Sequence, residues 1–131
     1  TYGADSSDVN VAVTGGSNTL TLNQATSALA ATLDLDWIIQ GSNNTVTSSI
    51  NIDGATNYMD IDGSDNTITY TGTGVTASSG GYFWLDHTGG SRTFDVTQAS
   101  TLARDWVTIT SSGSNGTVCV QQDDQGTATG C

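Results

Sequence analysis

The chain has 131 residues, which suits one compact domain and leaves no room for two cores of ordinary size. It carries 13 acidic and two basic residues, a formal net charge of −11, so binding to nucleic acid or to anionic lipid is not expected. Charged residues make up only 11% of the chain, which excludes a highly charged disordered tail. No apolar run approaches the roughly 18 residues of a membrane span, so membrane insertion is not expected either.

A unit of strand, glycine-containing turn and strand recurs five times along the chain. The predicted first strands of the units begin at Val9, Leu33, Asn57, Tyr82 and Trp106. The predicted second strands follow the turns and begin at Thr19, Thr45, Thr67, Thr93 and Thr117. Successive threonines in this series are 22 to 26 residues apart, a spacing typical of stacked repeats.

Apolar and polar residues alternate along the predicted strands, which indicates that each strand has one buried face. In the first unit Val9, Val11 and Val13 point inward, and Leu20 and Leu22 do so after the turn. The same phase gives these inward positions in the later units: Leu35, Trp37, Ile39, Val46, Ile50, Met59, Ile61, Ile68, Tyr70, Phe83, Leu85, Phe94, Val96, Val107, Ile109, Val118 and Val120. One unit cannot bury its own inner face, whereas stacked units form a continuous apolar column.

These patterns predict an all-β fold, a β-solenoid of about five strand-turn-strand coils that forms a single domain over residues 7–131. A β-sandwich is the alternative, because it also has short strands roughly every 8–12 residues. The absence of proline favours the solenoid, in which most strands pair on both sides and need every N–H group. Residues 1–6 are expected to form a separate N-terminal segment, either a donated strand or a cap.

The two cysteines, Cys119 and Cys131, are predicted to form a disulfide that closes a 13-residue loop. On the loop-entropy model such a bridge stabilises the fold by roughly 3 kcal/mol, and two free thiols are the alternative. The even cysteine count and the absence of lysine favour an extracellular or cell-surface, secreted protein. The chain begins at Thr1 without Met, which fits a mature form after removal of a signal peptide.

The first unit, residues 7–24, resembles a curlin repeat, which reads roughly Ser-x5-Gln-x-Gly-x-x-Asn-x-Ala-x3-Gln. The positions that match in register are Ser7, Gly15, Asn18 and Gln24, and later units match at Asn44, Asn66, Gln98 and Gln122. The positions that depart from the pattern are Val13, Leu20, Arg92 and Gly116. The resemblance implies a secreted, curli-like structural subunit that polymerises into an amyloid-like extracellular fibre, with roles in biofilm matrix or attachment.

The ends of the predicted stack bear directly on assembly. No amphipathic capping helix flanks the first or the last unit, and no lysine or proline blocks an open strand edge. An open rung, meaning a terminal strand-turn-strand unit without a neighbour on one side, favours end-to-end stacking of copies into a homopolymer. The inward residues of the terminal units would form the contact: Val9, Val11, Val13, Leu20, Leu22, Val107, Ile109, Val118 and Val120. The alternative is that the terminal segments, residues 1–6 and 123–131, fold over the ends as caps.

Threonines recur on the outward face of the second strands. This exposed ladder comprises Thr19, Thr21, Thr45, Thr47, Thr67, Thr69, Thr93 and Thr117. A flat Thr-x-Thr face is similar to that of ice-binding solenoids, although β-branched Thr also suits any exposed strand. The alternative function is therefore a binding module, either a Thr-faced ice binder or a phage or cell-surface fibre or adhesin domain.

The outward face of the first strands is acidic and aromatic. Its residues include Asp34, Asp36, Asp60, Asp62, Asp86, Tyr58, Tyr82, Trp84 and Trp106. Stacked units place Asp8 beside Asp34 and Asp60 beside Asp86, at a strand spacing of about 4.8 Å. Such carboxylates either splay into solvent or bind a cation, so we predict a Ca²⁺ site at Asp60, Asp62 and Asp86 and no other cofactor. The aromatic residues make a cell-surface or glycan ligand possible.

Catalysis has little support in the sequence. The one histidine, His87, falls at an inward position beside a turn, where a hydrogen-bonded core residue is more common than a catalytic base. No Ser/His/Asp set, nucleotide-binding loop or zinc-ligand spacing is present. We therefore do not expect an enzyme.

Overall fold

The computed structural model describes residues 8–24, 30–31, 34–53, 56–74, 81–100 and 106–123. These residues form eleven β-strands and no helix. The strands are β1 (Asp8–Thr14), β2 (Thr19–Gln24), β3 (Ala30–Ala31), β4 (Asp34–Gln40), β5 (Thr45–Asp53), β6 (Thr56–Asp62), β7 (Asn66–Gly74), β8 (Tyr82–Thr88), β9 (Arg92–Ser100), β10 (Trp106–Ser112) and β11 (Gly116–Asp123). The predicted N-terminal segment, residues 1–6, lies outside the described residues.

The strands form two parallel sheets that stack five strand-turn-strand units into a β-solenoid. Sheet 1 contains the first strands of the units in the order β1-β4-β6-β8-β10, and sheet 2 contains the second strands in the order β2-β5-β7-β9-β11. The short strand β3 pairs with β5. The predicted solenoid is confirmed. The β-sandwich alternative is wrong, since every strand pair of the described residues is parallel.

The core lies between the two sheets and runs along the stack. Its fully buried members come from the three central units: Leu35, Trp37, Ile39, Val46, Ile50, Met59, Ile61, Ile68, Tyr70, Phe83, Leu85, Phe94 and Val96. All of them were predicted from the alternation, because a period of two places every second side chain on one face. The inner residues of the first and last units are half-buried or exposed, since each of these units has a neighbouring unit on one side.

The turns contain two columns of residues with positive φ. Each turn begins with a glycine at φ between 111° and 144°, and the third turn residue lies in the left-handed region: Ser17, Asn43, Asp65, Ser91 and Asn115. The turns stack as closely as the strands, so a Cβ at Gly63 would overlap the carbonyl oxygen of Gly41. A glycine is required there both by the backbone angle and by the neighbouring turn.

One buried amide in the core has no hydrogen-bond partner. Asn57 is 1% exposed, and neither its Oδ1 nor its Nδ2 is hydrogen-bonded. It is in register with two apolar residues, Leu35 in the preceding unit and Phe83 in the next. Burial of an unpaired amide opposes folding, so Asn57 lowers the stability of the stack.

We expect Asn57→Leu to raise the free energy of unfolding by about 1–2 kcal/mol, because it removes the unpaired amide and continues the apolar column. Asn66→Leu is the matched control, since Asn66 is equally buried but accepts from the Asn44 N–H and donates to the Gly41 carbonyl. The control variant should lose stability. Urea unfolding followed by Trp fluorescence measures both changes, and a loss of stability in Asn57→Leu would contradict the prediction.

Candidate functional site

Both ends of the solenoid are pairs of edge strands. At one end β1 pairs only with β4 and β2 only with β5. At the other end β10 pairs only with β8 and β11 only with β9. Within the part of the chain that the structure describes, each end therefore consists of two strands that pair with a neighbouring strand on one side.

The predicted assembly residues lie at these two ends. The first unit contributes Val9, Val11, Val13, Leu20 and Leu22, all half-buried, and the last unit contributes half-buried Val107 and Ile109. Val118 and Val120 are more accessible, at 44% and 43%. Their counterparts one unit earlier, Phe94 and Val96, are 0% exposed. The ends thus expose apolar side chains that the central units cover.

Two sets of backbone hydrogen bonds between turns run from each unit to the next, whereas the Thr45 and Thr67 N–H groups donate back to the Asn18 and Asn44 carbonyls. The N–H groups of Gly15, Gly41, Gly63 and Gly89 donate to the residue before the glycine in the next unit, at 2.8–3.1 Å. The N–H of the third turn residue likewise donates to the second turn residue of the next unit, as from Ser91 to Ser114 at 2.9 Å. Among the described residues, these two sets leave the last unit with two donors, the N–H groups of Gly113 and Asn115. The first unit is left with two acceptors, the carbonyl oxygens of Thr14 and Gly16.

An asparagine ladder repeats this polarity beside the turns. The Asn18 N–H donates to Oδ1 of Asn44 at 3.0 Å, and the Asn44 N–H donates to Oδ1 of Asn66 at 2.9 Å. Each asparagine side chain thus serves the backbone of the preceding unit. The Oδ1 of Asn18 has no preceding unit to accept from. The sequence pattern indicated these asparagines through the curlin resemblance but did not predict the direction of their hydrogen bonds.

The ladder breaks at the two positions where the sequence departs from asparagine. Arg92 and Gly116 follow Asn66 in register. The Arg92 side chain lies over Gly116, where a Cβ would overlap Arg92 Cγ, and its guanidinium donates to the Asn115 carbonyl at 3.3 Å. A recess of about 400 Å³ opens beside this break. The backbone N–H of Gly116 consequently has no following asparagine.

The threonine ladder is present in the predicted register. Thr19, Thr45, Thr67, Thr93 and Thr117 form one continuous outward column through sheet 2. Thr21, Thr47 and Thr69 form a second column, which continues as Asp95 and Cys119. The full two-column face therefore extends over three units only.

The outward face of sheet 1, here called the acidic face, carries an aromatic patch of Tyr58, Tyr82, Trp84 and Trp106. The ring centroid of Tyr82 lies 6.2 Å from that of Trp84 and 6.0 Å from that of Trp106. The planes of the rings are inclined by 23° and 29°, so the rings are stacked. Tyr58 is in register with Trp84. Trp84 and Trp106 are 45% and 59% exposed, so the rings are available to solvent.

Two groups in and beside the patch, Asp60 and Tyr58, have raised pKa values. Partial burial, and then the negative charges of Asp62 and Asp86, raise the pKa of Asp60. Partial burial, and then the charges of Asp60, Asp86 and Asp36, raise the pKa of Tyr58. The described residues contain no group of three acidic, His or Cys side chains that could hold a metal ion. The structure therefore does not support the predicted Ca²⁺ site at Asp60, Asp62 and Asp86.

His87 is a buried, hydrogen-bonded core residue, as predicted. Its Nε2 lies 3.0 Å from the Gly63 carbonyl oxygen and its Nδ1 lies 3.0 Å from Ser111 Oγ. Because a carbonyl oxygen only accepts, we assign the proton of the neutral ring to Nε2 and let Nδ1 accept from the Ser111 hydroxyl. The side chain therefore connects three successive units.

Burial lowers the pKa of His87 below its usual value of 6.5. The hydrogen bond to Gly63 and the charge of Asp62 act in the opposite direction, and the charge of Arg92 lowers the pKa further. The folded chain thus favours the neutral ring. Its stabilising effect is fully present above pH 6.5 and is lost as the pH falls from 6.5 through the lowered folded-state pKa.

We expect the free energy of unfolding to fall between pH 7.5 and pH 5 more steeply in the wild type than in His87→Ile, a variant that repeats the preceding residue Ile61 in the column. The extra slope is at most about 1.4 kcal/mol per pH unit, the limit for one proton. Urea unfolding at several pH values measures this slope. The carboxylates titrate in both proteins, so the difference between the two profiles reports on His87. Parallel pH profiles would contradict the assignment.

Cys119 lies half-buried on the outward face of β11, in the second threonine column. It is not a free thiol. Its predicted partner, Cys131, lies outside the described residues, so the Cys119–Cys131 disulfide stays a prediction.

The chain matches no model of a known protein family, no curated protein and no solved structure. A solenoid shape alone does not identify curlin, and the curlin resemblance stays a prediction from the sequence. None of the described residues belongs to a helix that is long and apolar enough to cross a membrane.

Proposed function

We propose that this chain is a structural subunit that assembles end to end, through its open rungs, into an extracellular filament. The observation that carries the proposal is the complementarity of the two ends. The last unit offers donors and the first unit offers acceptors at equivalent turn positions, which is the arrangement of two successive units within the chain.

Extending the register of the chain by one unit places β1 of the next copy on β10 and its β2 on β11. In that junction the Gly113 and Asn115 N–H groups would donate to Thr14 and Gly16 of the next copy. The Gly116 N–H would donate to Asn18 Oδ1 of that copy, as the Asn18 N–H does to Asn44 within the chain. These three donors and three acceptors would each find a partner in the junction.

The same register brings apolar residues together. Val118 and Val120 would stack on Leu20 and Leu22 of the next copy, and Val107 and Ile109 on Val9 and Val11. Covering these partly exposed side chains removes apolar surface from water, which stabilises the junction by about 25 cal/mol per Å². Because each end differs from the other, the contact is heterologous and does not close, and such contacts generate filaments. The extracellular setting and the matrix or attachment role rest on the curlin resemblance.

Negative-stain electron microscopy over a range of protein concentrations tests the proposal. We expect unbranched filaments above a threshold concentration, with an X-ray fibre reflection at about 4.8 Å along the filament axis, since the strands lie across that axis. Dispersed monomers at every concentration would overturn the proposal.

A second candidate function, binding to ice through the threonine face, is favoured by the register of the five-residue threonine column. A parallel stack spaces these hydroxyl and methyl groups regularly, at about 4.8 Å. Thermal hysteresis of the dissolved protein measures this activity. Hysteresis that disappears in Thr67→Lys, with no filament at any concentration, would favour ice binding over assembly.

A further inference from the structure

The acidic face concentrates negative charge around the aromatic patch. Six of the 13 acidic residues of the chain lie on it: Asp8, Asp34, Asp36, Asp60, Asp62 and Asp86. None of the outward residues of sheet 1 that the structure describes is basic. Asp60 and Asp86 are in register with each other, two residues beyond Tyr58 and Trp84 on the same strands. The exposed rings and the carboxylates therefore share one surface.

Rings and carboxylates in this arrangement suit a cation. The face of an aromatic ring attracts an ammonium or guanidinium group, and a guanidinium also stacks on the ring while it donates to a carboxylate. Partial burial and, after it, the like charges of the neighbouring carboxylates raise the pKa values of Asp60 and Tyr58. A bound cation would relieve that repulsion.

We propose that the aromatic patch and its neighbouring carboxylates form a docking surface for a basic polypeptide segment with closely spaced Arg or Lys side chains. Charge complementarity selects this occupant. A second copy of the chain fits poorly, because the chain has no lysine and only two arginines, and two acidic faces repel each other. An acidic polysaccharide is repelled for the same reason.

The surface lies on the side of the stack and not at its ends. Tyr82, Trp84 and Trp106 point outward from sheet 1, whereas the end-to-end junction uses strand edges and inward residues. The docking surface is therefore accessible in a single subunit and in a filament, and the proposal does not depend on assembly.

The test uses a fluorescently labelled peptide of alternating Arg and Gly, and measures binding to the full chain by anisotropy. We expect the double variant Tyr82→Thr, Trp84→Thr to bind about tenfold more weakly than the wild type. The variant leaves the net charge unchanged and introduces residues that the neighbouring units carry at the same positions, Thr56 and Thr108. Far-UV circular dichroism checks that it folds.

Two further variants separate local from overall charge. Asp86→Asn should weaken binding several-fold, whereas Asp65→Asn, which removes the same charge at an exposed turn away from the face, should have little effect. Asn is well suited to position 65, because Asn43 and Asn115 occupy the equivalent left-handed positions. A peptide with citrulline in place of Arg, which is neutral, should not bind.

Equal binding by the wild type and the double aromatic variant, with equal effects of the two Asn variants, would overturn the proposal in favour of bulk attraction to an acidic protein. Binding of a neutral β-glucan hexasaccharide through Tyr82 and Trp84, with no binding of the Arg-Gly peptide, would overturn it in favour of a glycan ligand.

Discussion

Val120→Lys should leave a folded monomer at concentrations at which the wild type forms filaments. Val120 is 43% exposed in the single chain, so a lysine there can extend its ammonium group into water. In a filament the same side chain would be buried against Leu22 of the next copy, and an unpaired buried charge costs several kcal/mol. We expect the threshold concentration for assembly to rise at least about 100-fold, which corresponds to about 2.7 kcal/mol per junction.

Thr117→Lys is the matched control for this prediction. It lies on the same strand, β11, and adds the same charge, but its side chain points outward in the continuous threonine column and is exposed. It should assemble like the wild type apart from the small effect of net charge. Light scattering and sedimentation velocity measure both variants. Equal assembly by Val120→Lys and Thr117→Lys would show that the inward face of the last unit takes no part in the junction.

Gly63→Ala should lower the free energy of unfolding by about 3 kcal/mol or more. At φ 137° an L-residue is strained, and the new Cβ would overlap the carbonyl oxygen of Gly41 in the preceding turn. The turn would have to move away from its neighbour. That movement would also disturb the hydrogen bonds from the Gly63 N–H to Thr88 and from His87 to the Gly63 carbonyl.

Gly90→Ser tests whether the loss is specific to the first turn position. Gly90 is the second residue of its turn, and Ser42, Ser64 and Ser114 occupy that position in other units. A Cβ there would meet no atom closer than 3.3 Å. We expect a change within about 0.5 kcal/mol, measured by the same urea unfolding followed by Trp fluorescence. Comparable losses in the two variants would contradict the steric explanation.

The fold could be predicted from the sequence because each unit of a solenoid repeats the same local pattern of alternating apolar and polar residues. Alternation placed Trp37, Tyr70 and Phe83 inside and Trp84 outside, and the structure confirms each placement. The spacing of the turns fixed the register, which the strand pairs of Asp8 with Asp34 and of Asp60 with Asp86 confirm. In a parallel stack these two local patterns are sufficient, since every unit contacts only its neighbours.

The site was less accessible to sequence reasoning. Alternation identifies inward side chains, but the direction of a hydrogen bond between turns depends on backbone orientation, which composition does not encode. The donors at Gly113 and Asn115 and the acceptors at Thr14 and Gly16 were therefore missed. Asn57 was also missed as a buried residue, because a polar side chain at an inward position breaks the pattern that reveals the others. The Ca²⁺ site at Asp60, Asp62 and Asp86 was predicted from the stacked register, but the described residues contain no group of three such side chains that could hold a metal ion.

The central claim is that copies join head to tail, and a mixture of two end-blocked variants tests it most directly. Val120→Lys blocks the last unit and leaves the first unit intact, whereas Leu22→Lys blocks the first unit and leaves the last intact. Each variant alone should remain monomeric in sedimentation equilibrium. A 1:1 mixture should form a dimer of twice the 13.4 kDa chain mass and grow no further. Dimers of either variant alone, or a mixture that stays monomeric under conditions where the wild type polymerises, would contradict head-to-tail stacking.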